Sequence, residues 1–447
     1  MAYATLDNWI EKEAIPFSIE SPEAVNAAVD KLVASLDDSV KLLGFGEALH
    51  GGEEILMLRN RLFQRLVERH GYSAIAIESS FPRGLLVNEY VSGRHEYMAG
   101  GGPASYQDME DTGFSHSFGK LEANRELVEW MRQYNANPDH PVRIQFYGFD
   151  SPTEMMGTDS PRQVLTLVLD YLSSIDGDSN QVLRSRIDSL LGADSDWENP
   201  AAMMDPTQSV GLSDAASKLR IETEDLIMQL QVRRPELIAR SDRDRYLEAL
   251  QHASAARNLL NYHAELARES EERTAVLLGI RDTAMADNLA YAVTREHGRG
   301  KVFAFAHNRH LQQGKAEWQL GPQLLRWWPA GAHLGAMLGD DYVVIGTGVG
   351  VSAENGIGQP EAGSLEALFA SQPESALFIP THQAEGLPAS EINSLAPRSG
   401  SRKNPGYFSF DAATFTDFDW LAFVGSTGYS RGGPALPDIA NGLGGGK

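Results

Sequence analysis

Four short apolar segments of the chain each stop at ionisable residues. The segments span residues 40–45, 73–77, 142–149 and 301–306. Short runs rich in aliphatic and aromatic residues, bounded by glycine or polar clusters, predict buried strands. A helical pattern follows the first segment, because Leu58, Leu62 and Leu66 recur at a spacing of four. The pattern therefore predicts strand–turn–helix units of an α/β sheet.

Charged side chains and histidines follow these predicted strands directly. They are Glu47 and His50 after the first, Glu78 after the second, Asp150 after the third, and His307 and His310 after the fourth. If the four strands are parallel neighbours, these six side chains converge at the carboxyl edge of the sheet, where ligands of open α/β sheets bind. Glu47 can orient His50, which changes charge near neutral pH. The alternative is that Glu47 only caps a helix and His50 is an ordinary surface histidine. Because four apolar segments end on ionisable residues, a functional site is favoured.

The remaining chain predicts more strands at 341–350, 376–379 and 419–424, and helices at 164–175, 181–191, 212–231 and 236–269. Two short N-terminal helices are expected on either side of Pro16. We expect an α/β fold with a mostly parallel central sheet flanked by helices and an inserted all-helical cap over the strand ends. The expected units are N-terminal helices at 1–37, an α/β core at 38–160 and 273–430, the cap at 161–272 and a disordered tail at 431–447. The long loop at 93–119 predicts a pocket wall or lid.

Composition limits the function classes. With 61 acidic and 38 basic residues, the net charge of −23 disfavours nucleic acid and anionic membranes as partners. The absence of cysteine from the 447 residues excludes disulfides and thiol nucleophiles. The start of the chain shows no signal peptide and no apolar run reaches 18 residues, so a cytoplasmic protein with a small-molecule partner is expected. The oligomeric state is left open.

Three other groups of residues indicate alternative chemistries. Gly428-Tyr-Ser430-Arg-Gly432 matches the pattern of a nucleophile elbow, but no helix, acid or histidine follows it, so a serine nucleophile is not expected. Gly346-x-Gly348-x-Gly350 lacks the helix of a nucleotide site. A divalent metal held by histidines and carboxylates of the predicted site is an alternative. However, His307-x-x-His310 lacks the helical spacing of zinc hydrolases, so no metal and no cofactor is expected.

Two arginines could supply fixed positive charge to the site. Arg59 is preferred to Arg61 because it lies about two helical turns after Gly52, on the side expected to face the sheet edge. Arg281 could point to the cluster or form an ordinary ion pair within its helix.

Five ordered blocks resemble the erythromycin esterase family. They are Gly44-Phe45-Gly46-Glu47-Ala48-x-His50-Gly51, Arg59 with Val67-Glu-x-x-Gly71, Ala76-Ile77-Glu78, Arg281-Asp282-x-x-Met285-Ala286-x-Asn288, and Ala306-His307-Asn308-x-His310. The resemblance extends over about residues 42–350. It implies hydrolysis of a macrolactone ring without a serine nucleophile, an essential set of Glu47, His50, Arg59, Glu78 and His307, and His50 as the base that activates water. We also expect Arg281, His310, Asp150 and Asn308 to contact substrate.

The residues themselves are consistent with the same chemistry. His50, oriented by Glu47 or Glu78, would take a proton from water, and Arg59, Arg281 or His307 would stabilise the oxyanion. Two alternatives stay open at this point. One is a hydrolase or lyase of the same fold that acts on another ester, such as a biosynthetic lactone. The other is a non-catalytic protein that binds haem or a metal at the same sheet edge.

Overall fold

The computed structural model describes residues 3–93, 102–154 and 157–436. Residues 94–101 of the predicted loop and 437–447 of the predicted tail lie outside this part. The strands are β1 Ile15–Phe17, β2 Leu42–Glu47, β3 Tyr72–Ser80, β4 Gln145–Asp150, β5 Thr153–Glu154, β6 Gly157–Thr158, β7 Lys301–His307, β8 Ala316–Leu320, β9 Gln323–Trp327, β10 Tyr342–Val351, β11 Ala376–Pro380 and β12 Trp420–Ser426.

Helices surround these strands. They are α1 Leu6–Glu13, α2 Pro22–Ala34, α3 Glu53–Arg69, α4 Phe81–Ser92, α5 Glu122–Ala136, α6 Arg162–Asp176, α7 Gln181–Leu191, α8 Asp194–Trp197, α9 Asp214–Val232, α10 Arg234–Arg240, α11 Arg243–Leu266, α12 Arg273–Glu296, α13 Asn308–Leu311, α14 Ala330–Leu338, α15 Leu365–Ala370, α16 Ala389–Asn393 and α17 Thr414–Asp417. Among them, no helix is long and apolar enough to cross a membrane.

Eight strands form one central sheet in the order β1-β11-β12-β10-β2-β7-β3-β4. Strand β11 pairs antiparallel with both of its neighbours, and the other pairings are parallel. The predicted α/β fold with a mostly parallel sheet is therefore confirmed. The four strands that end on ionisable residues are adjacent, in the order β2-β7-β3-β4. Their carboxyl ends consequently lie side by side, with Glu47 opposite His307 in the pairing of β2 with β7.

The turn after β2 explains why glycines occur there. A Cβ atom on Gly46 would lie 2.2 Å from Oδ1 of Asn308, so any larger residue would push β2 away from the start of α13. Gly51 has a φ of +77°, a conformation that glycine adopts without strain. It allows the chain to reverse from the sheet edge into α3. The apolar face of α3, with Leu58, Leu62 and Leu66, is buried in the core beside the sheet.

The segment from residue 162 to residue 266 consists of the helices α6 to α11 and the turns between them, as its sequence pattern predicts. The predicted helix at 236–269 is two helices, because Asp242 accepts a hydrogen bond from the backbone N–H of Arg245 and caps a new start for α11. The apolar side chains of this segment form their own cluster, which packs on Phe81 of α4 and Tyr291 of α12.

Several local predictions differ from the structure. Pro16 lies in β1, an edge strand of the sheet, rather than in a linker between two helices; an edge position tolerates its missing N–H. Strands β8 and β9 form a hairpin that the sequence did not indicate. The glycines of β10 serve packing: Cβ atoms on Gly346 and Gly348 would lie within 3 Å of the rings of Phe418 and Phe410.

The start of the predicted tail is tied to the core. Arg431 donates from its backbone N–H and its Nε to the carboxylate of Glu53 at 3.0 and 2.7 Å. The backbone N–H of Ser430 donates to the carbonyl of Gly51 at 2.8 Å. The serine of the rejected elbow motif therefore lies in a strap over the turn that follows β2, with no elbow geometry.

We expect His252 to make the helical segment sensitive to acid. Its side chain is buried, and neither ring nitrogen has a hydrogen-bond partner among the described residues. Burial lowers the pKa of His252 from 6.5 to about 3. As the pH falls through this window the unfolded state binds a proton that the folded state does not, so this histidine removes about 1.4 kcal/mol of stability per pH unit.

Replacing His252 with leucine should therefore flatten the decline of unfolding free energy between about pH 6.5 and about pH 4.5. Urea unfolding of the variant and of wild type at several pH values measures the difference. The exposed His297, changed to leucine, is the matched control and should leave the slope unchanged. A slope that is the same in all three proteins would contradict the expectation.

Candidate active site

The carboxyl end of β2 places Glu47 beside His50. Nδ1 of His50 donates a hydrogen bond of 2.7 Å to Oε1 of Glu47. This assignment leaves Nε2 with the lone pair that a base requires. The side chain of His50 is 42% exposed, whereas that of Glu47 is 3% exposed. A ligand can therefore reach His50 directly, whereas the buried Glu47 can influence that ligand only through the imidazole of His50.

Electrostatics make His50 a stronger base than a free histidine. Burial opposes its charged form, but the negative charges of Glu78 and Glu47 outweigh that effect and raise the pKa of His50 above its usual value. Burial also raises the pKa of Glu47, although the charges of His50 and Arg59 act in the opposite direction. The pair can therefore hold a proton on His50 that is shared with Glu47.

Glu78, at the end of β3, connects the histidines of the site. Its Oε1 lies 3.9 Å from Nε2 of His50 and 3.3 Å from Nε2 of His310, and it accepts a hydrogen bond of 3.1 Å from Arg281. Its Oε2 accepts from the backbone N–H of His307 at 2.8 Å. Burial alone would favour the neutral acid, but the charges of His310, His50 and Arg281 hold the pKa of Glu78 well below its usual range. Glu78 is therefore a carboxylate.

Arg281 lies between two carboxylates. Its Nε and Nη2 donate to Oδ1 and Oδ2 of Asp150 at 2.8 and 2.6 Å, which is a bidentate pair, and Nη2 also reaches Glu78. Oδ2 of Asp150 is 3.0 Å from Nε2 of His116. Burial raises the pKa of Asp150, but Arg281 and His116 outweigh it and lower the pKa overall. The guanidinium thus fixes a positive charge at the ends of β3 and β4.

His310 is a buried cation. Nδ1 lies 2.7 Å from Oδ1 of Asp282, and Nε2 faces Glu78. Burial disfavours its charge, but these two carboxylates raise the pKa of His310 to about 10. Asp282 in turn accepts from the indole N–H of Trp327 and from the backbone N–H of Ala330. His310 therefore holds Glu78 in place and is unsuited to act as a base near neutral pH.

His307 is a neutral wall of the site. Its Nε2 donates to the carbonyl of Gly406 at 2.8 Å, and its Nδ1 accepts from the backbone N–H of Arg309 at 3.1 Å. Burial, reinforced by the charge of Arg309, lowers the pKa of His307 well below its usual value. Its ring contacts that of His50 edge-on, with centroids 5.2 Å apart. Since both nitrogens are engaged, the predicted oxyanion contact from His307 does not fit this arrangement.

Asn308 points away from the other site residues and bonds to β10. The side chain is fully buried, its Nδ2 donates to the carbonyl of Thr347 at 2.8 Å, and its Oδ1 accepts from the backbone N–H of Thr347 at 3.1 Å. Both polar atoms therefore tie the turn after β7 to β10. The substrate contact predicted for Asn308 does not fit this arrangement, because sequence position alone does not show which way a side chain points.

Arg59 lies below the site rather than beside the exposed face of His50. It is 1% exposed, its Nε and Nη2 donate to Asn60 at 3.0 and 2.7 Å, and its guanidinium covers the ring of Phe305 at 4.8 Å. Burial lowers the pKa of Arg59 to about 10 against the charge of Glu47, so it stays a cation near neutral pH. Its charge therefore acts on Glu47.

One group of donors could hold a divalent cation. Ligand atoms of Glu78, His116 and Asp150 lie within 4.8 Å of one another. Arg281 already places its positive charge against both carboxylates, so a metal ion would have to displace that guanidinium. The predicted metal site that includes His307 does not have free ligand atoms, because both ring nitrogens of His307 already form hydrogen bonds with the backbone.

His50 is flanked by an aromatic ring from the loop that precedes α5. Its hydrogen bonds, ion pairs and ring contacts with described residues involve Glu47, Glu78, His307 and Phe118, and none involves residues 162–266. The ring of Phe118 lies 5.4 Å from the rings of both His50 and His116. His116 and Ser117 have φ values of 56° and 58°, which are strained for residues with a side chain. Sequence reasoning marked this loop as a pocket wall but missed His116 and Phe118, since a loop has no periodicity to orient its residues.

Comparisons with known proteins agree with this architecture. The sequence profile described as erythromycin esterase matches residues 67–427. Erythromycin esterase type II from Escherichia coli is 22% identical over 346 residues, which cover 76% of each chain. The match to the profile begins after Glu47, His50 and Arg59, so these positions rest on the geometry described above.

Solved structures with the same fold cover nearly the whole chain. A protein from Bacillus cereus has a TM-score of 0.71 at 19% identity, over 96% of this chain and 98% of that chain. A succinoglycan biosynthesis protein has a TM-score of 0.67 at 20% identity, over 96% and 98%. A mutant of an erythromycin esterase in its open conformation has a TM-score of 0.64 at 18% identity, over 96% and 99%.

Proposed function

This chain belongs to the erythromycin esterase family, and we propose that it hydrolyses a carboxylic ester, a macrolactone or a related lactone, with water activated by His50. The observation that carries the proposal is the half-exposed imidazole of His50. Its Nδ1 is held by Glu47 at 2.7 Å, and its Nε2 faces Glu78 at 3.9 Å. This arrangement orients the imidazole of His50 towards solvent and leaves its Nε2 available to accept a proton.

The geometry around Nε2 suits a reacting water. A water about 2.8 Å from both Nε2 of His50 and Oε1 of Glu78 would lie to one side of the 3.9 Å line between them. His50 takes one proton from this water, and the oxygen forms a bond to the carbonyl carbon of the ester. The charge that develops on the imidazole is stabilised by Glu47, which is buried beside it.

The tetrahedral intermediate carries a negative charge on the former carbonyl oxygen. Arg281 is the best placed of the predicted donors, because it lies at the same sheet edge as Glu78 and its side chain is 14% exposed. Arg59 is buried below Glu47, and His307 has both nitrogens engaged. When the ester C–O bond breaks, the imidazolium of His50 returns its proton to the leaving alkoxide, which becomes the alcohol. The carboxylic acid product releases the second proton of the water to solvent and becomes a carboxylate.

The substrate class has two candidates within this chemistry. The family and the relative named erythromycin esterase type II support a macrolactone. The second candidate is an ester outside the macrolides, because the fold also occurs in a protein named for succinoglycan biosynthesis. Both candidates use the same site, so a single screen separates them.

The test is a screen of macrolides, simpler lactones and linear esters, followed by mass spectrometry in water enriched in the heavy oxygen isotope. We expect at least one ester to gain the elements of water and to carry the heavy isotope in its new carboxylate. Linearised macrolide as the product would assign the macrolactone class. A chain that binds haem and hydrolyses none of these esters would overturn the proposal.

A further inference from the structure

A small cavity lies against Glu47, the hydrogen-bond partner of His50. Its volume is about 10 Å³, close to the roughly 10–15 Å³ that one water molecule needs. Glu47, Glu78, Arg59 and Asn124 are among the residues that line it, together with apolar side chains that include Phe118 and Phe305. The cavity is therefore the size of a single water site, and four of the residues around it carry polar side chains.

Two buried oxygen atoms of these lining residues have no hydrogen-bond partner among the described residues. They are Oε2 of Glu47 and Oδ1 of Asn124. The side chains are 3% and 2% exposed, so bulk water does not reach them. The orientation of the Asn124 amide is determined, because its Nδ2 donates to the carbonyl of Phe118 at 2.8 Å. Exchanging its two ends would place oxygen against oxygen, so the atom without a partner is the acceptor.

Arg59 offers the complementary donor. A guanidinium has five N–H groups, and its described hydrogen bonds go to Oδ1 of Asn60, from Nε and Nη2. A water molecule donates two hydrogen bonds and accepts others. Two acceptors without partners and a buried donor around one water-sized space match those capacities.

We propose that this cavity binds one water molecule that links Arg59 and Asn124 to Glu47, and that Asn124 is thereby a positioning residue for the Glu47–His50 pair. The water donates to Oε2 of Glu47 and to Oδ1 of Asn124 and accepts from the guanidinium of Arg59. It keeps the Glu47 carboxylate solvated on the side that His50 does not cover.

The consequence concerns the charge on His50. Glu47 faces His50, Glu78 and Arg59, and His50 faces Glu47, Glu78, His307 and His310. Removing the water takes a hydrogen bond from the charged form of Glu47, so Glu47 becomes easier to protonate. His50 then loses a neighbouring negative charge, and its pKa falls. The effect on turnover rests on the proposed function, whereas the shift of the His50 pKa does not.

The test uses variants of Asn124 in the full chain. Asn124→Leu has a similar shape but excludes the water, and it loses the bond to Phe118. Asn124→Ser loses the same bond to Phe118 but keeps a hydroxyl and leaves space for water. The matched control is Asn135→Leu on the same helix, where Asn135 is buried and donates to the carbonyls of Val91 and Ile144.

The pKa of His50 is measured by NMR titration of histidine-labelled protein, with His50→Gln to assign its signal. We expect Asn124→Leu to lower the His50 pKa by about one unit, with Asn124→Ser and Asn135→Leu close to wild type. A crystal structure of wild type should show the water against Glu47, Arg59 and Asn124. If Asn124→Leu does not fold, Asn124→Val replaces it. Equal pKa values in all variants, or a cavity without ordered water, would overturn the inference.

Turnover distinguishes this inference from the proposed function. A lowered His50 pKa in a protein that hydrolyses no ester would support the water link and reject the hydrolase. An unchanged His50 pKa in a protein that hydrolyses an ester would reject the water link and support the hydrolase. If the protein is active, Asn124→Leu should also move the acid limb of kcat/KM to lower pH, which a loss of stability alone does not do.

Discussion

Replacing His50 with glutamine is expected to lower kcat/KM for the substrate ester by about 100- to 10,000-fold, the usual contribution of a general base. Glutamine can still accept from water but cannot take its proton. His50 is half exposed and its side-chain bond to Glu47 is local, so the variant should unfold at a temperature close to that of wild type. Hydrolysis rates by mass spectrometry and a thermal unfolding curve measure the two effects.

The control for this experiment is His297→Gln. His297 is exposed on the chain after α12 and has no described contact with the site, so its replacement should leave both rate and stability unchanged. If His50→Gln hydrolyses the ester at the wild-type rate, His50 is not the base. The mechanism would then have to place water activation on another group.

Of the substitutions proposed here, replacing Arg281 with methionine is expected to cause the largest loss in the free energy of unfolding. Arg281 is the cation between Glu78 and Asp150, which are both almost fully buried. Methionine fills much of the volume but leaves two ionised carboxylates without their shared partner. Breaking a buried ion pair from one side costs about 3–5 kcal/mol. Denaturant unfolding near neutral pH measures this loss, and turnover should disappear because the oxyanion loses its proposed donor.

A second substitution separates the two effects of Arg281. In the double variant with Asp150→Asn, one of the two unpaired charges is gone, so much of the stability should return. Activity should not return, since the guanidinium is still missing. The loss of stability in Arg281→Met should also shrink at lower pH, where the carboxylates take up protons. A single variant that is as stable as wild type at neutral pH would show that the charges are not coupled in this way.

The strands and their ends could be predicted from the sequence because their signal is local. Buried strands need unbroken apolar runs, so 40–45, 73–77, 142–149 and 301–306 were recognisable without any partner. The ionisable residues that follow them mark a sheet edge once the strands are taken as parallel. For this reason Glu47, His50, Glu78 and Asp150 were assigned to one place, whereas Arg281 was left open between this cluster and an ordinary ion pair; the structure brings all five together.

Other features depend on contacts between distant segments. The hairpin of β8 and β9 has short strands with mixed polarity, and only pairing between them identifies it. His116 and Phe118 come from a loop without periodicity, so nothing local points them towards Asp150 and His50. Asn308 follows the apolar segment 301–306 just as His307 does, yet its amide turns to Thr347 and away from the site.

The amino-acid sequence by itself determined the fold class, the sheet edge and the types of group that meet there, because apolar periodicity and strand ends are written along the chain. Only the tertiary structure decided what each group can do. His307 and His310 are three residues apart, yet one is neutral and the other a cation, since Gly406 and Arg309 surround the first and Asp282 and Glu78 the second. Charge state depends on burial and on partners brought from remote parts of the chain, and no local pattern contains that information.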